Sequence, residues 1–227
     1  MYQLYIANKN YSSWSLRPWV LMRELFVPFS EHLVLFGEAS SWESYRKISP
    51  SGKVPCLIDN GNVVWDSLSI VEYLAERHDG VWPVDPSARA WARSAAAEMH
   101  SGFAELRTRC SMSCGVRIRL KEIPLGLARD IGRLGGLWND GLRRFGGPFL
   151  SGHAFTAVDA FFAPVAFRIQ TYGLPFDAAS AAYAARLLAL GSMRVWYADA
   201  LKEKGRDDTF EAQVQHRGSV LEDLREK

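Results

Sequence analysis

Apolar and polar positions alternate over residues 1–7, with Tyr2, Leu4 and Ile6 on one side, and a period of two predicts a strand. Over 16–25 the period lengthens to that of a helix, with Ser15 at the expected N-cap and Pro18 expected in the first turn. Residues 31–36 (EHLVLF) predict a second strand and 42–48 a short helix. The runs VPCLID and NVVW flank Asn60-Gly61, a tight-turn pair, and so predict a hairpin. Over 67–77 (SLSIVEYLAER), Leu68, Val71 and Leu74 share one face of an amphipathic helix. The resulting order, β-α-β-α-β-β-α, is a small α/β unit.

The texture changes after WPVDP (82–86), which suits a linker into a new helix. Helical spacing recurs over 88–106, 125–145, 158–172, 178–190 and 193–201. Breaks fall at Pro124, Gly146-Gly147-Pro148, Gly173-Leu174-Pro175 and Gly191, and the pattern shows no strand of useful length. The expected organisation is an α/β domain over 1–79, a linker over 80–86 and an all-α domain over 87–227. The charged tail from 202 onward is expected to be partly disordered.

Composition narrows the class without naming a function. The 227 residues carry a net charge of +2, so no excess of charge calls for nucleic acid or an anionic membrane. No run approaches the ~18 apolar residues of a membrane span, and the first residues lack the pattern of a signal peptide. Three cysteines, an odd number, do not make a disulfide framework, so a reducing cytoplasm is the expected location. Cys110 and Cys114, expected on one helix, have no His or Asp set to complete a metal site, and no metal is expected. Arg107, Arg109, Arg117 and Arg119 around them read as a solvated helix face, with an anionic second substrate or a subunit contact as the minor reading. His100 reads as a packing histidine.

Three short stretches carry chemistry. NYSSWSLRPW (10–19) places serines just before a helix, where free N–H groups and the helix dipole favour an anion. In GKVPCLID (52–59) a proline enters a strand; either it sits on an edge, or a cis Val54-Pro55 bond leaves the Val54 main chain free to pair with a peptide-like ligand. In WDSLSI (65–70) Ser67 is the expected N-cap, and Asp66 with Ser67 offers an acceptor for an ammonium beside a helix start for a carboxylate. A fourth stretch, FLSGHAFTAVDAFFAP (149–164), holds Thr156 and Asp159 at capping-box spacing, a structural feature.

With these motifs in this order, the chain resembles the cytosolic glutathione transferases over nearly its whole length. SSWSLRPW is similar to the serine motif of the zeta and tau classes, SPSGKVPCLID to the cis-proline segment, and DSLSIVEYLAER to the start of the glutathione-binding helix. The resemblance implies a thioredoxin-like α/β N-terminal domain followed by an all-α C-terminal helical domain, assembled as a homodimer. It implies glutathione as co-substrate and a small apolar electrophile as its partner, a detoxifying conjugation. Ser12, five residues before Arg17, matches the catalytic serine; Ser13 matches under theta-type spacing. Lys53, Val54, Pro55, Asp66 and Ser67 are implied to bind glutathione; Trp14, Trp42, Phe103 and Met112 are candidates for an apolar electrophile pocket, with Arg107 beside them, although core packing explains most of these apolar residues equally well. Trp14 replaces the cysteine of the zeta SSCS motif and Trp19 its second arginine, which argues against maleylacetoacetate-type isomerisation. A non-catalytic binding protein of the same fold is the other alternative.

The energetics of such a site close. Lowering a thiol pKa by about two units requires ~2.7 kcal/mol in favour of the anion. One hydroxyl hydrogen bond to a charged sulfur supplies roughly 1.5–3 kcal/mol, and a helix amino end ~0.3–1.

Overall fold

The computed structural model describes residues 1–35 and 45–226. Trp42, the first three residues of the helix predicted at 42–48 and the last residue of the strand predicted at 31–36 therefore lie outside the described residues. The amino-terminal part runs β1 (Tyr2–Ile6), α1 (Ser13–Glu24), β2 (Phe29–Leu33), β3 (Cys56–Asp59), β4 (Asn62–Trp65) and α2 (Ser67–Ala75). The sheet order is β2-β1-β3-β4; β2 runs parallel to β1, and β3 and β4 are antiparallel to their neighbours. Alternation set the register: Leu4 lies opposite Leu57, and both are fully buried with Ile6. Asn60 and Gly61 take φ of 48° and 86°, the left-handed pair that a two-residue hairpin turn requires.

The carboxy-terminal part is helical: α3 (Pro86–Ser101), α4 (Ala104–Arg109), α5 (Leu125–Phe145), α6 (Ala157–Tyr172), α7 (Ala178–Ala189), α8 (Gly191–Lys202) and α9 (Asp208–Arg217). It also holds a ribbon of two antiparallel strands, β5 (Val116–Leu120) and β6 (Gly218–Asp223), which no strand pattern announced. VRIRL is five residues long and its partner lies a hundred residues away, too short and too distant a signal for periodicity. The tail expected to be partly disordered is instead α9 and β6. The predicted helix over 88–106 breaks after Ser101. Gly102 caps it by donating its N–H to Glu98 O at 2.8 Å, and Phe103 follows in the left-handed region at φ 57°.

Helix α6 forms the centre of the molecule and packs against α1, α3, α7 and β5. Nearly all its side chains are buried because neighbours surround it. The T-x-x-D motif anchors its start as expected: Asp159 accepts from Thr156 N at 3.0 Å, and also from Leu150 N and the Tyr183 hydroxyl. Burial pushes the Asp159 carboxyl up to about 6. Helix α1 lies between β1, α2 and α6, so that its first residues open where the two parts meet.

Candidate active site at the start of helix α1

The N-cap of α1 is Ser12, not Ser15: Ser15 N donates to Ser12 Oγ at 3.4 Å, and the helix begins at Ser13. Pro18 consequently falls in the second turn rather than the first. Ser15 turns inward, where its Oγ accepts from Ser12 Oγ at 2.7 Å and from Ala7 N at 3.2 Å. This ties the helix start to the end of β1. Ser13 has no side-chain partner among the described residues, so its hydroxyl remains uncommitted. Both Ser12 and Ser13 are largely buried, at 5% and 7% exposure, and both line one cavity.

Two cavities meet here. The first, of about 410 Å³, is lined by Trp14, Ser51, Lys53, Val54, Pro55, Trp65, Asp66 and Ser67. All five residues expected to bind glutathione thus surround one space. The Val54-Pro55 bond is cis, and Val54 N–H and C=O make no hydrogen bond among the described residues. Asp66, at φ 73°, is the N-cap of α2 and accepts from Leu68 N at 2.8 Å; Ser67, expected in that role, is the first residue of the helix. Its hydroxyl is thereby released from capping and accepts from Arg17 Nη1 at 3.3 Å.

The second cavity, of about 250 Å³, adjoins the first through Trp14 and Val54. Ser12, Ser13, Met112 and Arg107 line it, as do Tyr11, Ser111, Arg168, Phe210 and Gln213. Phe103 does not: it is buried in the hydrophobic core ahead of α4, because its left-handed backbone turns the chain there. Nor do the arginines make one solvated helix face. Arg107 is half-buried at the cavity, while Arg117 and Arg119 lie on β5. Cys110 and Cys114 share no helix; both are buried, and burial pushes the Cys110 thiol up to about 12 and that of Cys114 higher still.

Two guanidiniums converge on Trp14. The Arg17 guanidinium lies 4.2 Å from its ring centroid and the Arg107 guanidinium 4.8 Å. Burial first, then Arg107 and Arg168, hold Arg17 well below the ordinary arginine value, although a guanidinium stays protonated throughout. His100 meets the Trp14 ring edge-on at 5.2 Å and approaches Asp66 Oδ2 with Nε2 at 3.5 Å. Its buried Nδ1 has no partner among the described residues, so the expected fully satisfied packing histidine is only half satisfied. Burial lowers its pKa, with Arg17 and Arg107 acting the same way against Asp66.

Comparison with known proteins agrees with this geometry. Residues 11–77 match the family model described as the glutathione S-transferase N-terminal domain. Over those residues, about a third of its length, the chain is similar to the glutathione S-transferase N-terminal domain. A Caenorhabditis elegans protein named "Probable maleylacetoacetate isomerase" is 33% identical over 105 residues, 45% of this chain and 48% of that one, so the chain spans about half its length. A stringent starvation protein A homolog from Pasteurella multocida is 27% identical over 157 residues, 64% of this chain and 68% of that one. The theta class glutathione S-transferase of Xanthomonas axonopodis pv. citri, solved with glutathione bound, shares the fold at a TM-score of 0.64 and 22% identity. That match covers 86% of this chain and 96% of that one.

Within this site, sequence reasoning missed Arg17, Tyr11, Arg168, Phe210 and Gln213. Arg17 stood inside the quoted motif, but its burial beside the helix-start serines is visible only in the fold. The others come from separate segments that only folding brings together.

Proposed function

We propose that the chain is a glutathione transferase whose co-substrate lies along the first cavity, with its sulfur at the amino end of α1. The observation that supports this most strongly is the juxtaposition in one cavity of an unpaired main-chain edge at Val54, a helix start at Ser67 and the Asp66 carboxylate. In this reading Val54 pairs with the cysteinyl backbone of glutathione. Ser67 and the N–H groups of α2 hold the γ-glutamyl carboxylate, Asp66 faces the ammonium, and Lys53 the glycyl carboxylate.

Ser12 then donates its hydroxyl to the thiolate, exchanging its present acceptor Ser15 Oγ for the sulfur. The thiolate, not serine, is the nucleophile. Sulfur bonds to an electrophilic carbon in the second cavity. The pair of the breaking bond leaves with a halide or, in an activated alkene, moves onto the adjoining carbon, which takes a proton from solvent. A second reading gives the donor role to Ser13, and its uncommitted hydroxyl is the observation in favour. Titration of thiolate absorbance in the protein–glutathione complex tests the core of this. A thiol pKa lowered by about two units from its ordinary ~8.5 is expected. An unshifted thiol, or no turnover across aryl halides, peroxides and unsaturated carbonyls, overturns it in favour of a binding protein.

A further inference from the structure

The second cavity is poorly matched to a purely apolar partner. Arg168, on α6, is 3% exposed and lines it. Its Nε donates to Cys110 O at 2.8 Å, and its two Nη groups have no partner among the described residues. Arg107 faces the same space from α4. Its Nε donates to Gly102 O at 2.8 Å and its Nη2 to His100 O at 3.1 Å and to Met99 O, which leaves Nη1 unpaired among the described residues. Neither arginine forms a salt bridge among the described residues, whose ion pairs lie elsewhere. The two guanidiniums repel each other, and burial with that repulsion pushes Arg168 down to about 10. The Asp130 carboxylate, which does not line the cavity, acts on Arg107, but no carboxylate pairs with Arg168 among the described residues, and keeping that buried charge without a partner is costly. Hydroxyls of Ser13 and Ser111 and the Gln213 amide add further donors to the same space.

We infer that the electrophile accepted in this cavity carries its own carboxylate, which Arg168 and Arg107 bind together while its reacting carbon faces Ser12 and Ser13. Met112 and Phe210 supply the apolar flank for its carbon frame. The inference rests on the transferase reading above and names the substrate class for that site. A guanidinium pair suits a carboxylate because its N–H groups match two oxygens at once.

A matched pair of probes tests it: 4-chloro-3,5-dinitrobenzoate and its neutral methyl ester. In both, sulfur bonds to the ring carbon bearing chlorine, and chloride leaves with the pair of the broken C–Cl bond. After division by the uncatalysed rate with free glutathione, kcat/KM for the acid is expected to exceed that for the ester by 10-fold or more. Arg168→Gln and, independently, Arg107→Gln bring that ratio toward one, and Arg168→Lys restores part of it. An ester turned over as well as the acid, or a ratio unmoved in Arg107→Gln and Arg168→Gln, overturns the inference. Calorimetric binding of the two probes with glutathione present separates the two levels of argument. Tight binding of the acid alone without turnover keeps the anion site and defeats the transferase reading. Equal or absent binding of both defeats the anion site.

Discussion

The two cavities share Trp14 and Val54 as a common wall, yet they are built in different ways. The first draws on 51–55 and 65–67, short stretches at the ends of adjacent strands, so its chemistry follows from local backbone: an unpaired edge and a helix start. The second takes residues from the start of α1, from α4 and the segment after it, from α6 and from α9. Chain geometry fixes the first, whereas packing of distant helices fixes the second. A site of the first kind tolerates change in its surroundings; one of the second kind moves whenever any of its contributing segments moves.

The largest effect expected from breaking this arrangement is at its junction. Ser12→Ala should lower kcat/KM by about 10²- to 10³-fold, the loss typical of one donor to a developing or resident anion, and raise the glutathione thiol pKa while its dissociation constant changes little. Equal loss in Ser13→Ala, with Ser12→Ala near wild type, would transfer the role to Ser13. Next, Asp66→Ala should weaken glutathione binding by about 10-fold or more, the worth of a charged hydrogen bond. The cap lost from α2 should cost a further ~1 kcal/mol of stability, read by denaturant melts. This variant should leave the electrophile KM nearly constant, since Asp66 belongs to the first cavity alone.

A smaller change should probe the second cavity without touching the first. Tyr11 donates its hydroxyl to Glu211 Oε1 at 2.6 Å and accepts from Arg225 Nη1 at 3.2 Å, and its ring stacks on Phe210. Tyr11→Phe should therefore loosen α9 by about 1–2 kcal/mol and raise the electrophile KM several-fold, with glutathione affinity within twofold. Hydrogen exchange over 208–223 reads the loosening. If glutathione affinity falls as far as electrophile affinity, the cavities are not separable.

The smallest effect concerns pH. The folded state lowers the His100 pKa from 6.5, so the unfolded chain takes up that proton first. The stability this group contributes is complete above pH about 6.5 and is lost as pH falls below it. His100→Asn should flatten the fall in stability between pH 7 and 5, by under about 1 kcal/mol given the partial exposure of the pair it forms with Asp66.

Legibility followed the same division. Leu4, Ile6 and Leu57 alternate into the core, Asn60-Gly61 turns the hairpin, and Thr156 with Asp159 anchors α6, because each is decided within a few residues. The candidates at 53–55 and 66–67 converge on one cavity for that reason too. Errors of one to three residues at Ser15 and Ser67 arose because several adjacent hydroxyls can cap a helix. Tertiary packing chooses among them: Ser15 is drawn inward to Ala7 N, and Ser67 is claimed by Arg17.

By itself, the sequence determined the α/β start, the helical remainder, the hairpin and the candidate residues of the first cavity, since periodicity and turn chemistry act over short range. Only the tertiary structure decided the roles of Arg107 and Arg168, the burial of Phe103 and the ordering of the tail. Arg225 closes on Glu211 and Asp223, and β6 pairs with β5, so a segment too polar to fold alone is held by partners far along the chain. An arginine in a sequence looks the same whether water or a closed cavity surrounds it. Burial and the absence of a paired carboxylate among the described residues give Arg168 its meaning, and both are properties of the fold.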